Sequence, residues 1–338
     1  MTINKRKILI TGVCGSIGIA LLAKIITEKK FDNYDIIGID KDENKLFFLN
    51  EKYIKNKRIK LYLCDIRNEI SLNDYLNKVD IIYHTAALKH VGITELSPYE
   101  AIQTNIIGTN NLIRLSEQNK VKKFIFCSTD KAVNPTNVMG ASKLMAEKLL
   151  TSAVAKNGSF GTIFTTIRFG NVMGSAGSVF QIFRNQIKNN MPITITDKNM
   201  TRFVMSISEA TKYIIEISNL AIGGEVFVPK MPSLKITSLA DALIKMGCKE
   251  NLIKKIFIGP KPGEKMYEEL VGIEEMRRTI EIKNYYVILP AFSNLFPQIN
   301  NKYIKKKSMK IKSIYNSETA KSLNCSEIIE FIKKNKIT

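Results

Sequence analysis

The sequence predicts an α/β protein built on a doubly wound parallel sheet, with a smaller α/β lobe interleaved in its second half. In the first half, short and continuous apolar runs alternate with longer segments of helical spacing, and strands buried on both faces of a parallel sheet have this continuous apolar character. A glycine-rich loop follows the first apolar run directly. A chain of 338 residues with 45% hydrophobic content is also long enough to bury a large core.

The elements follow one another in a regular order up to residue 170. The predicted strands are residues 7–11, 35–40, 60–64, 79–84, 123–127 and 163–169, and the predicted helices between them are residues 19–28, 99–118 and 142–155. Residues 1–170 are therefore predicted to form the main sheet domain.

The pattern is looser after Gly170. Short strands are predicted at residues 193–196, 225–228 and 255–259, among helices at 179–189, 208–218 and 238–246. We expect residues 171–338 to form mainly the smaller, substrate-binding lobe and a C-terminal helix around 327–334. Parts of about 200–225 are expected to pack back onto the sheet domain.

Composition disfavours several classes of protein. No apolar stretch approaches the roughly 20 residues that span a bilayer, and the N-terminus lacks a signal-peptide pattern, so we expect a cytoplasmic protein without a membrane span. Five cysteines without a CxxC pair and only two histidines predict no metal site. The formal charge of +20 comes from lysines spread along the chain, which disfavours nucleic-acid binding and suits a polyanionic small ligand.

Three glycines have the spacing of a dinucleotide-binding loop between a strand and a helix. In such a loop Gly12 permits the tight turn, Gly15 lets backbone N–H groups approach a pyrophosphate, and Gly18 lets the helix pack on the sheet. Ser16 and Ile17, which lie between the last two glycines, belong to the same predicted site. Residues 1–170 are therefore predicted to be a Rossmann domain that binds a dinucleotide.

The acidic residue at the end of the second strand predicts which dinucleotide binds. Asp40 is placed to accept hydrogen bonds from both hydroxyls of the adenosine ribose, and its charge repels a 2′-phosphate, which favours NAD. The adjacent Lys41 leaves NADP open. Asp65 either meets the adenine amino group or caps a helix. Further predicted cofactor contacts are Ile66, Ala86 and Ala87.

Several motifs resemble one enzyme family. The glycine loop resembles that of the extended short-chain dehydrogenase/reductase superfamily. Six further segments are similar to bacterial UDP-N-acetylglucosamine 4,6-dehydratases of the polysaccharide-biosynthesis type, and the resemblance extends over about residues 7–280. These segments are residues 86–91 (AALKHV), 128–131 (STDK), 168–175 (RFGNVMGS), 200–203 (MTRF), 224–229 (GEVFVP) and 262–265 (PGEK).

The resemblance implies a dehydration with no net redox change. NAD takes a hydride from C4 of the sugar, the C5 proton becomes acidic, water leaves across C5–C6, and the hydride returns to C6. Lys131 is implied as the base at C5 and Asp130 as the acid at C6, and each group shifts the pKa of the other. Thr129 is implied to hydrogen-bond the C4 oxygen.

One position departs from the superfamily. The usual Tyr-x-x-x-Lys motif is Met139-x-x-x-Lys143 here. Lys143 can still orient the nicotinamide ribose, but methionine cannot accept a proton. Thr129, Lys131 or a water must then take the C4 proton. The replacement occurs in active members of the family, and it also leaves open a non-catalytic NAD-binding protein.

The resemblance further implies UDP-N-acetylglucosamine as the ligand of the second half. Arg202 is suited to the diphosphate, although it could pair only with an acidic neighbour. His90 borders the sugar or serves only in packing. The other predicted substrate contacts are Lys89 beside the sugar, Asn171 at the phosphates, Ile193 and Thr194 at the uracil, and Glu264 at the ribose.

The reaction, its stereochemistry and the oligomeric state each leave alternatives open. A UDP-sugar 4-epimerase would return the hydride to C4 and needs no acid at C6, so the Asp130–Lys131 pair favours the dehydratase. The configuration of the product at C5 is not specified by these residues. The resemblance also implies a homo-oligomer, either a dimer or a hexamer.

Overall fold

The computed structural model describes residues 5–157, 161–248, 252–299, 303, 309–311 and 313–337. A large sheet forms its centre, and the predicted α/β class with a parallel sheet is confirmed. Each of the six predicted strands of the first half is present, with ends that differ by a few residues. These strands are β1 (Arg6–Thr11), β2 (Tyr34–Asp40), β3 (Ile59–Leu63), β4 (Ile81–His84), β5 (Lys123–Thr129) and β6 (Ile163–Phe169).

The order of these strands creates the crevice in which a ligand can bind. They run β3-β2-β1-β4-β5-β6, and every neighbouring pair is parallel. The chain proceeds outward from β1 first on one side and then on the other. The loops after β1 and β4 therefore leave the sheet in opposite directions and open a crevice at its carboxyl edge.

Helices pack against this sheet. They are α1 (Ser16–Thr27), α2 (Glu43–Tyr53), α3 (Glu69–Asn73), α4 (Val91–Leu96), α5 (Pro98–Ala101), α6 (Gly108–Gln118) and α7 (Val138–Asn157), with 3₁₀ turns at Lys29–Phe31 and Asp130–Ala132. The predicted starts of α1 at residue 19 and of α7 at residue 142 are wrong by three and four residues, because the first turn of each helix lies inside a loop motif.

The predicted single helix at 99–118 is interrupted. Residues Ile102–Ile107 form a π-helix between α5 and α6, and such widened turns are frequent at functional sites. The hydrophobic spacing of the sequence continues through this segment, so the spacing alone does not reveal the change in hydrogen bonding.

The second half contains shorter elements. Its strands are β7 (Asn171–Met173), β8 (Ile193–Ile195), β9 (Thr201–Ser206), β10 (Val226–Pro229), β11 (Ser233–Lys235), β12 (Lys255–Phe257), β13 (Glu269–Val271), β14 (Thr279–Ile282), β15 (Tyr285–Ile288), β16 (Met309–Lys310), β17 (Tyr315–Asn316) and β18 (Ser322–Leu323). Its helices are α8 (Val179–Lys188), α9 (Ile207–Leu220), α10 (Ile236–Met246), α11 (Ile273–Met276), α12 (Pro297–Ile299) and α13 (Cys325–Lys334), with a 3₁₀ turn at Ser293–Leu295.

Part of this half forms a smaller lobe with its own core. Strands β7, β9, β11 and β18 make a separate sheet, and β8 pairs with β12. Phe180 and Phe183 on α8, Leu239 on α10 and Ile328 on α13 belong to a second cluster of buried apolar residues. The predicted smaller lobe is therefore a packed unit with the predicted C-terminal helix inside it.

The chain also returns to the large sheet, and it does so more often than we predicted. Strand β10 pairs in parallel with β6, and β15, β14 and β16 extend the same edge in antiparallel fashion. The segment predicted to pack back, about 200–225, contains α9, which lies beside α1. The division at residue 170 stays a prediction, and in the structure the two lobes are interleaved beyond it.

A helix that crosses a bilayer needs about 20 consecutive, mostly apolar residues. Within the described ranges, no helix combines the length and the apolar character needed to cross a bilayer.

Candidate active site

Close backbone contacts shape the glycine loop after β1. Gly12 has a φ of +68°, and a side chain there would lie 2.7 Å from Cα of Ala86. A side chain at Gly18 would lie 2.2 Å from the carbonyl oxygen of Gly12. Gly15 precedes α1 and supplies no side-chain cap, so the N–H groups of the first turn, including those of Ser16 and Ile17, are available to an anion.

The loop borders an open cavity of about 260 Å³. Asp40 lies in its wall, where its two carboxylate oxygens accept hydrogen bonds from the backbone N–H of Cys14 at 2.9 Å and of Asp42 at 3.1 Å. The carboxylate is thereby fixed at the end of β2. The structure brings most of the predicted cofactor residues into this wall, namely Gly12, Gly15, Asp40, Lys41, Asp65, Ile66, Ala86 and Ala87.

Asp65 lies in the cavity wall but is engaged by a neighbour. Its oxygens accept hydrogen bonds from Nε of Arg67 at 2.8 Å and from the backbone N–H of Arg67 at 3.0 Å. Burial alone would raise the pKa of Asp65, but these hydrogen bonds outweigh burial and lower it. The alternative that Asp65 caps a helix is wrong, because Asn68 caps α3.

The predicted acid and base form one hydrogen-bonded group at the end of β5. Asp130 is fully buried, and its Oδ1 accepts hydrogen bonds from Nζ of Lys131 at 2.9 Å and from Oγ1 of Thr129 at 2.9 Å. Its Oδ2 is buried without a hydrogen-bond partner. A buried polar atom without a partner is costly, so this oxygen favours a ligand that can reach it.

A second carboxylate reaches Lys131 from the other half of the chain. Glu268 directly precedes β13, and its Oε1 lies 3.1 Å from Nζ of Lys131. Burial lowers the pKa of Lys131, but the charges of Asp130 and Glu268 outweigh burial and raise it. Sequence reasoning missed Glu268. The only signal was its position, three residues after the PGEK segment.

Helix α7 lies directly against the turn that holds Thr129, Asp130 and Lys131. We call this segment the acid–base turn, after the predicted acid and base that it carries. A side chain at Gly140 would lie 2.1 Å from the carbonyl oxygen of Lys131, so the contact requires glycine. The neighbouring Met139 is buried, and Lys143 follows one helical turn later. The ammonium of Lys143 lies 4.0 Å from the ring centroid of Phe126, and burial lowers the pKa of Lys143 to about 8.

The π-helix carries another residue that sequence reasoning missed. Asn105 accepts a hydrogen bond from the backbone N–H of Leu88 at 2.8 Å and donates to the carbonyl oxygen of Leu88 at 2.9 Å. It also donates to Oγ of Ser142 at 2.9 Å. Asn105 therefore joins the segment after Ala87 to helix α7 beside Lys143.

Lys89 and His90 contact the loop that follows β7. Nζ of Lys89 donates to the carbonyl oxygen of Ala176 at 2.7 Å, and a side chain at Gly177 would lie 2.4 Å from Cε1 of His90. The N–H of Ala176 donates to Oγ of Ser16 at 3.0 Å. This loop therefore connects the start of α1 to the segment after β4.

Arg202 is buried on β9 rather than free in a cleft. Its Nη1 donates to the carbonyl oxygen of Thr201 at 2.7 Å, and its Nε lies 3.8 Å from Oε1 of Glu268. The acidic neighbour that we considered as an alternative is therefore present. Because the same carboxylate oxygen faces Lys131, Arg202 lies close to the acid–base turn.

Asn171 lies on the strand beside β9, opposite Val204. Its Oδ1 is buried without a hydrogen-bond partner. The preceding Gly170 is so close to the acid–base turn that a side chain there would lie 3.3 Å from Oδ2 of Asp130. The structure thus places Asn171 at the edge of the same site.

The remaining predicted substrate residues are engaged within the smaller lobe. Ile193 is fully buried in its core. The N–H of Thr194 donates to Oε1 of Gln186 at 3.3 Å. Glu264 is exposed and accepts a hydrogen bond from the N–H of Lys261 at 3.2 Å. The described contacts do not join these three residues to the acid–base turn, and their roles at a nucleotide stay predictions.

A buried ion triad supports the site from behind. Arg168 on β6 is 1% exposed and pairs with Glu147 at 2.6 Å and with Glu275 at 2.8 Å. Glu147 follows Lys143 by one turn of α7. Nη1 of Arg168 also donates to the carbonyl oxygen of Leu270 on β13 at 3.1 Å. Arg168 therefore fastens the helix of Lys143 to the strand that follows Glu268.

These contacts define what the site can do chemically. It holds a proton donor and a proton acceptor side by side, next to a cradle of backbone N–H groups. Oδ2 of Asp130, Oδ1 of Asn171 and Oε2 of Glu268 are buried oxygens without partners, which suits a polar ligand. No group of histidine, cysteine and acidic side chains in the described ranges could hold a metal ion.

Comparison with known proteins identifies close relatives. A family model described as "Polysaccharide biosynthesis protein" matches residues 8–290. A UDP-glucose 4-epimerase of Rickettsia bellii is 40% identical over 97% of this chain and 95% of its own length. A UDP-N-acetylglucosamine 4,6-dehydratase (inverting) of Campylobacter jejuni is 40% identical over 85% of this chain and 84% of its own length.

A solved structure extends the similarity to three dimensions. The X-ray structure of Pen from Bacillus thuringiensis is 37% identical, with a TM-score of 0.89, and the match covers 100% of both chains. The resemblance that we derived from the sequence motifs is confirmed by these relatives. The chain belongs to the polysaccharide biosynthesis protein family, which includes nucleotide-sugar dehydratases and epimerases, and it has the fold of the extended short-chain dehydrogenases/reductases.

Proposed function

We propose that this protein is an NAD-dependent UDP-N-acetylglucosamine 4,6-dehydratase whose product, a UDP-4-keto-6-deoxy-N-acetylhexosamine, serves bacterial surface-glycan or deoxy-amino-sugar synthesis. The observation that carries the proposal is the hydrogen bond of 2.9 Å between Lys131 and the buried Asp130. Elimination of water across C5–C6 needs a base at one carbon and an acid at its neighbour, and this pair supplies both types.

The pair can reach its working protonation state by an internal transfer. Lys131 must be neutral to remove the C5 proton, and Asp130 must be protonated to assist the departure of the C6 hydroxyl. Moving one proton from Nζ of Lys131 to Oδ1 of Asp130 produces both forms at once and leaves the net charge of the site unchanged. General acid–base catalysis by such groups contributes about 10²–10⁴-fold in rate.

Because Met139 cannot take the C4 proton, another group must. Thr129 donates to Oδ1 of Asp130 at 2.9 Å, so its hydroxyl is connected to the same proton network. We assign Thr129 to hold the C4 oxygen and to pass the C4 proton through Asp130 to Lys131. The partly exposed ammonium of Lys131 then releases one proton to solvent, and the neutral amine acts as the base at C5.

The glycine loop after β1 and the cavity beside it fit NAD. NAD supplies a hydride acceptor for C4 that can return the hydride to C6. The backbone of Gly15 and the first turn of α1 would hold the pyrophosphate, and Asp40 would hold the adenosine ribose. Lys143 would hold the nicotinamide ribose, since it lies on the helix that contacts the acid–base turn through Gly140.

A UDP-sugar 4-epimerase is the second candidate. It is favoured by relatives of that name at the same level of identity as the dehydratases. Epimerisation exchanges the hydride only at C4 and uses no acid at C6. The buried Asp130, whose Oδ2 has no partner, therefore favours the dehydratase.

Proton NMR of the reaction in D₂O tests the proposal. Purified protein with UDP-N-acetylglucosamine should produce a new methyl signal, and C5 should carry deuterium. The ring couplings of the product then give retention or inversion at C5. The Asp130→Asn variant, which keeps the shape of the acid but not its proton, should produce no methyl signal.

Other NMR outcomes contradict the proposal. Formation of UDP-N-acetylgalactosamine without a methyl signal would establish the epimerase. Unchanged substrate in the presence of bound NAD would indicate a protein that binds the dinucleotide without catalysing either reaction.

A substitution at Asp40 tests the choice of dinucleotide. We expect Asp40→Asn to lower the ratio of the Kd for NADPH to the Kd for NADH by about tenfold or more, because the charge that repels a 2′-phosphate is removed. Asparagine still offers an oxygen to the N–H of Cys14. Fluorescence titration with each reduced dinucleotide measures the ratio.

The matched control for Asp40 is Asp35→Asn. Asp35 lies near the other end of β2, where it pairs with the exposed Lys5 at 3.4 Å. We expect its ratio to stay within about twofold of the wild type, as for an exposed ion pair. An unchanged ratio in Asp40→Asn would remove Asp40 from the ribose site.

A further inference from the structure

Glu268 is the second acidic side chain of the acid–base turn. Its side chain is 2% exposed, and Oε1 lies between Nζ of Lys131 at 3.1 Å and Nε of Arg202 at 3.8 Å. We propose that Glu268 is a positioning residue that sets the pH range of the Asp130–Lys131 pair and connects this pair to the arginine predicted for the substrate diphosphate. The inference rests on the proposed dehydratase function.

The backbone holds Glu268 in one place. Its N–H donates to Oγ of Ser317 at 2.9 Å, and its carbonyl oxygen accepts from the N–H of Ser317 at 2.8 Å. Oγ1 of Thr201, the residue before Arg202, lies 2.8 Å from Oγ of Ser317. Ser317 therefore fixes Glu268 and the start of β9 to each other. These contacts fix the backbone of Glu268 beside the turn, and the carboxylate itself is held by Lys131 and Arg202.

The charges that face one another here come from three parts of the chain. Asp130 and Lys131 lie on the turn after β5, Arg202 lies on β9, and Glu268 precedes β13. Among the described residues, the two carboxylates and the two cations pair with one another: Lys131 contacts both carboxylates, and Arg202 faces Glu268. Burial, followed by the charge of Asp130, raises the pKa of Glu268, whereas Lys131 and Arg202 oppose this rise.

The sign of the effect of Glu268 follows from charge. An anion beside Lys131 stabilises the ammonium and makes the amine a stronger base. Because Lys131 must lose this proton to act as the base, the anion moves the limb of the pH profile that Lys131 controls toward higher pH. Arg202 opposes this effect, because it offsets part of the charge of Glu268.

Glu268→Gln tests the proposal, because glutamine keeps an oxygen near Lys131 but carries no charge. We expect the limb of the kcat–pH profile that Lys131 controls to move to lower pH by about one unit. Glu268→Asp keeps the charge and should leave the limbs near their wild-type positions, although kcat falls because the shorter side chain positions Lys131 less well.

The matched control is Glu269→Gln, at the adjacent position. The carboxylate of Glu269 accepts a hydrogen bond from Nδ2 of Asn134 at 2.9 Å, away from the four charges. Its removal changes the net charge by the same amount, and we expect both limbs of the profile to stay in place. A shift of equal size in both variants would attribute the effect to net charge and overturn the proposal.

A readout independent of turnover separates this inference from the proposed function. The rate at which an amine-reactive anhydride labels Lys131, mapped by peptide mass spectrometry across pH, reports the pKa of its ammonium. The side chain of Lys131 is 22% exposed, so small reagents reach it. We expect the labelling midpoint to fall by about one pH unit in Glu268→Gln.

Labelling and turnover can fail independently of each other. An unchanged labelling midpoint overturns the role of Glu268, whatever the enzyme does. A lower midpoint in a protein that makes no methyl product supports the charge effect while the dehydratase function fails.

Discussion

Lys131→Arg should lower kcat for methyl formation by about 10²–10⁴-fold while leaving NAD binding intact. Arginine retains the positive charge that faces Asp130 and Glu268, at 2.9 and 3.1 Å from the lysine nitrogen. However, its guanidinium does not lose a proton in proteins. The substitution therefore removes the base and preserves most of the electrostatics. Progress curves by NMR and NADH titration measure the two quantities.

Two further variants make this expectation specific. Lys131→Met should abolish turnover to the same degree and should also lower Tm, because it leaves two buried carboxylates without their shared cation. Lys122→Met removes an exposed lysine that pairs with Asp80 at 2.7 Å, and both turnover and Tm should be unaffected. If Lys131→Arg turns over at a rate near that of the wild type, Lys131 is not the base.

The second large effect is on stability and concerns Arg168. Arg168→Met should lower the free energy of unfolding by about 3–5 kcal/mol, because Glu147 would remain buried without its partner. Glu275 would keep the longer pair with Arg278, at 3.6 Å. Glu147 is 4% and Glu275 is 15% exposed at the side chain. Urea denaturation, followed by circular dichroism, measures the change.

The controls distinguish a buried ion pair from a surface one. Arg114→Met breaks a pair with Glu69 in which the side chains are 52% and 35% exposed, and should cost less than about 1 kcal/mol. Adding Glu147→Gln and Glu275→Gln to Arg168→Met should recover much of the lost stability, since the uncompensated charges are then gone. A loss below about 1 kcal/mol in Arg168→Met would contradict the importance of the triad.

Local patterns predicted well the strands of the first half and the residues that line the cavity beside them. The strands of the large sheet, the glycine loop and Asp40 each depend on residues that are close together in sequence. Asp130 and Lys131 are adjacent in sequence, so the acid–base pair was visible from the family motif. In each of these cases the physical requirement is met within a few residues of one strand end.

The missed features depend on contacts between distant parts of the chain. Glu268 lies 137 residues after Lys131, and the contact between them exists only because β13 and the turn after β5 meet in the fold. Asn105 occupies a π-helix that has the same hydrophobic spacing as an α-helix. The sequence around Gly140 does not indicate that a side chain at this position would collide with the carbonyl oxygen of Lys131.

The interleaved path of the chain has a consequence for any attempt to isolate the nucleotide-binding half. A fragment ending near residue 170 would lack β10, which covers the edge of β6 by pairing Val226 with Thr166 and Phe227 with Ile167. The exposed edge of β6 would offer free backbone groups flanked by apolar side chains, and such an edge recruits other strands. The fragment would therefore aggregate through β6, although its sequence contains the complete dinucleotide motif. The two halves of this chain are separable as patterns of residues but not as pieces of polypeptide.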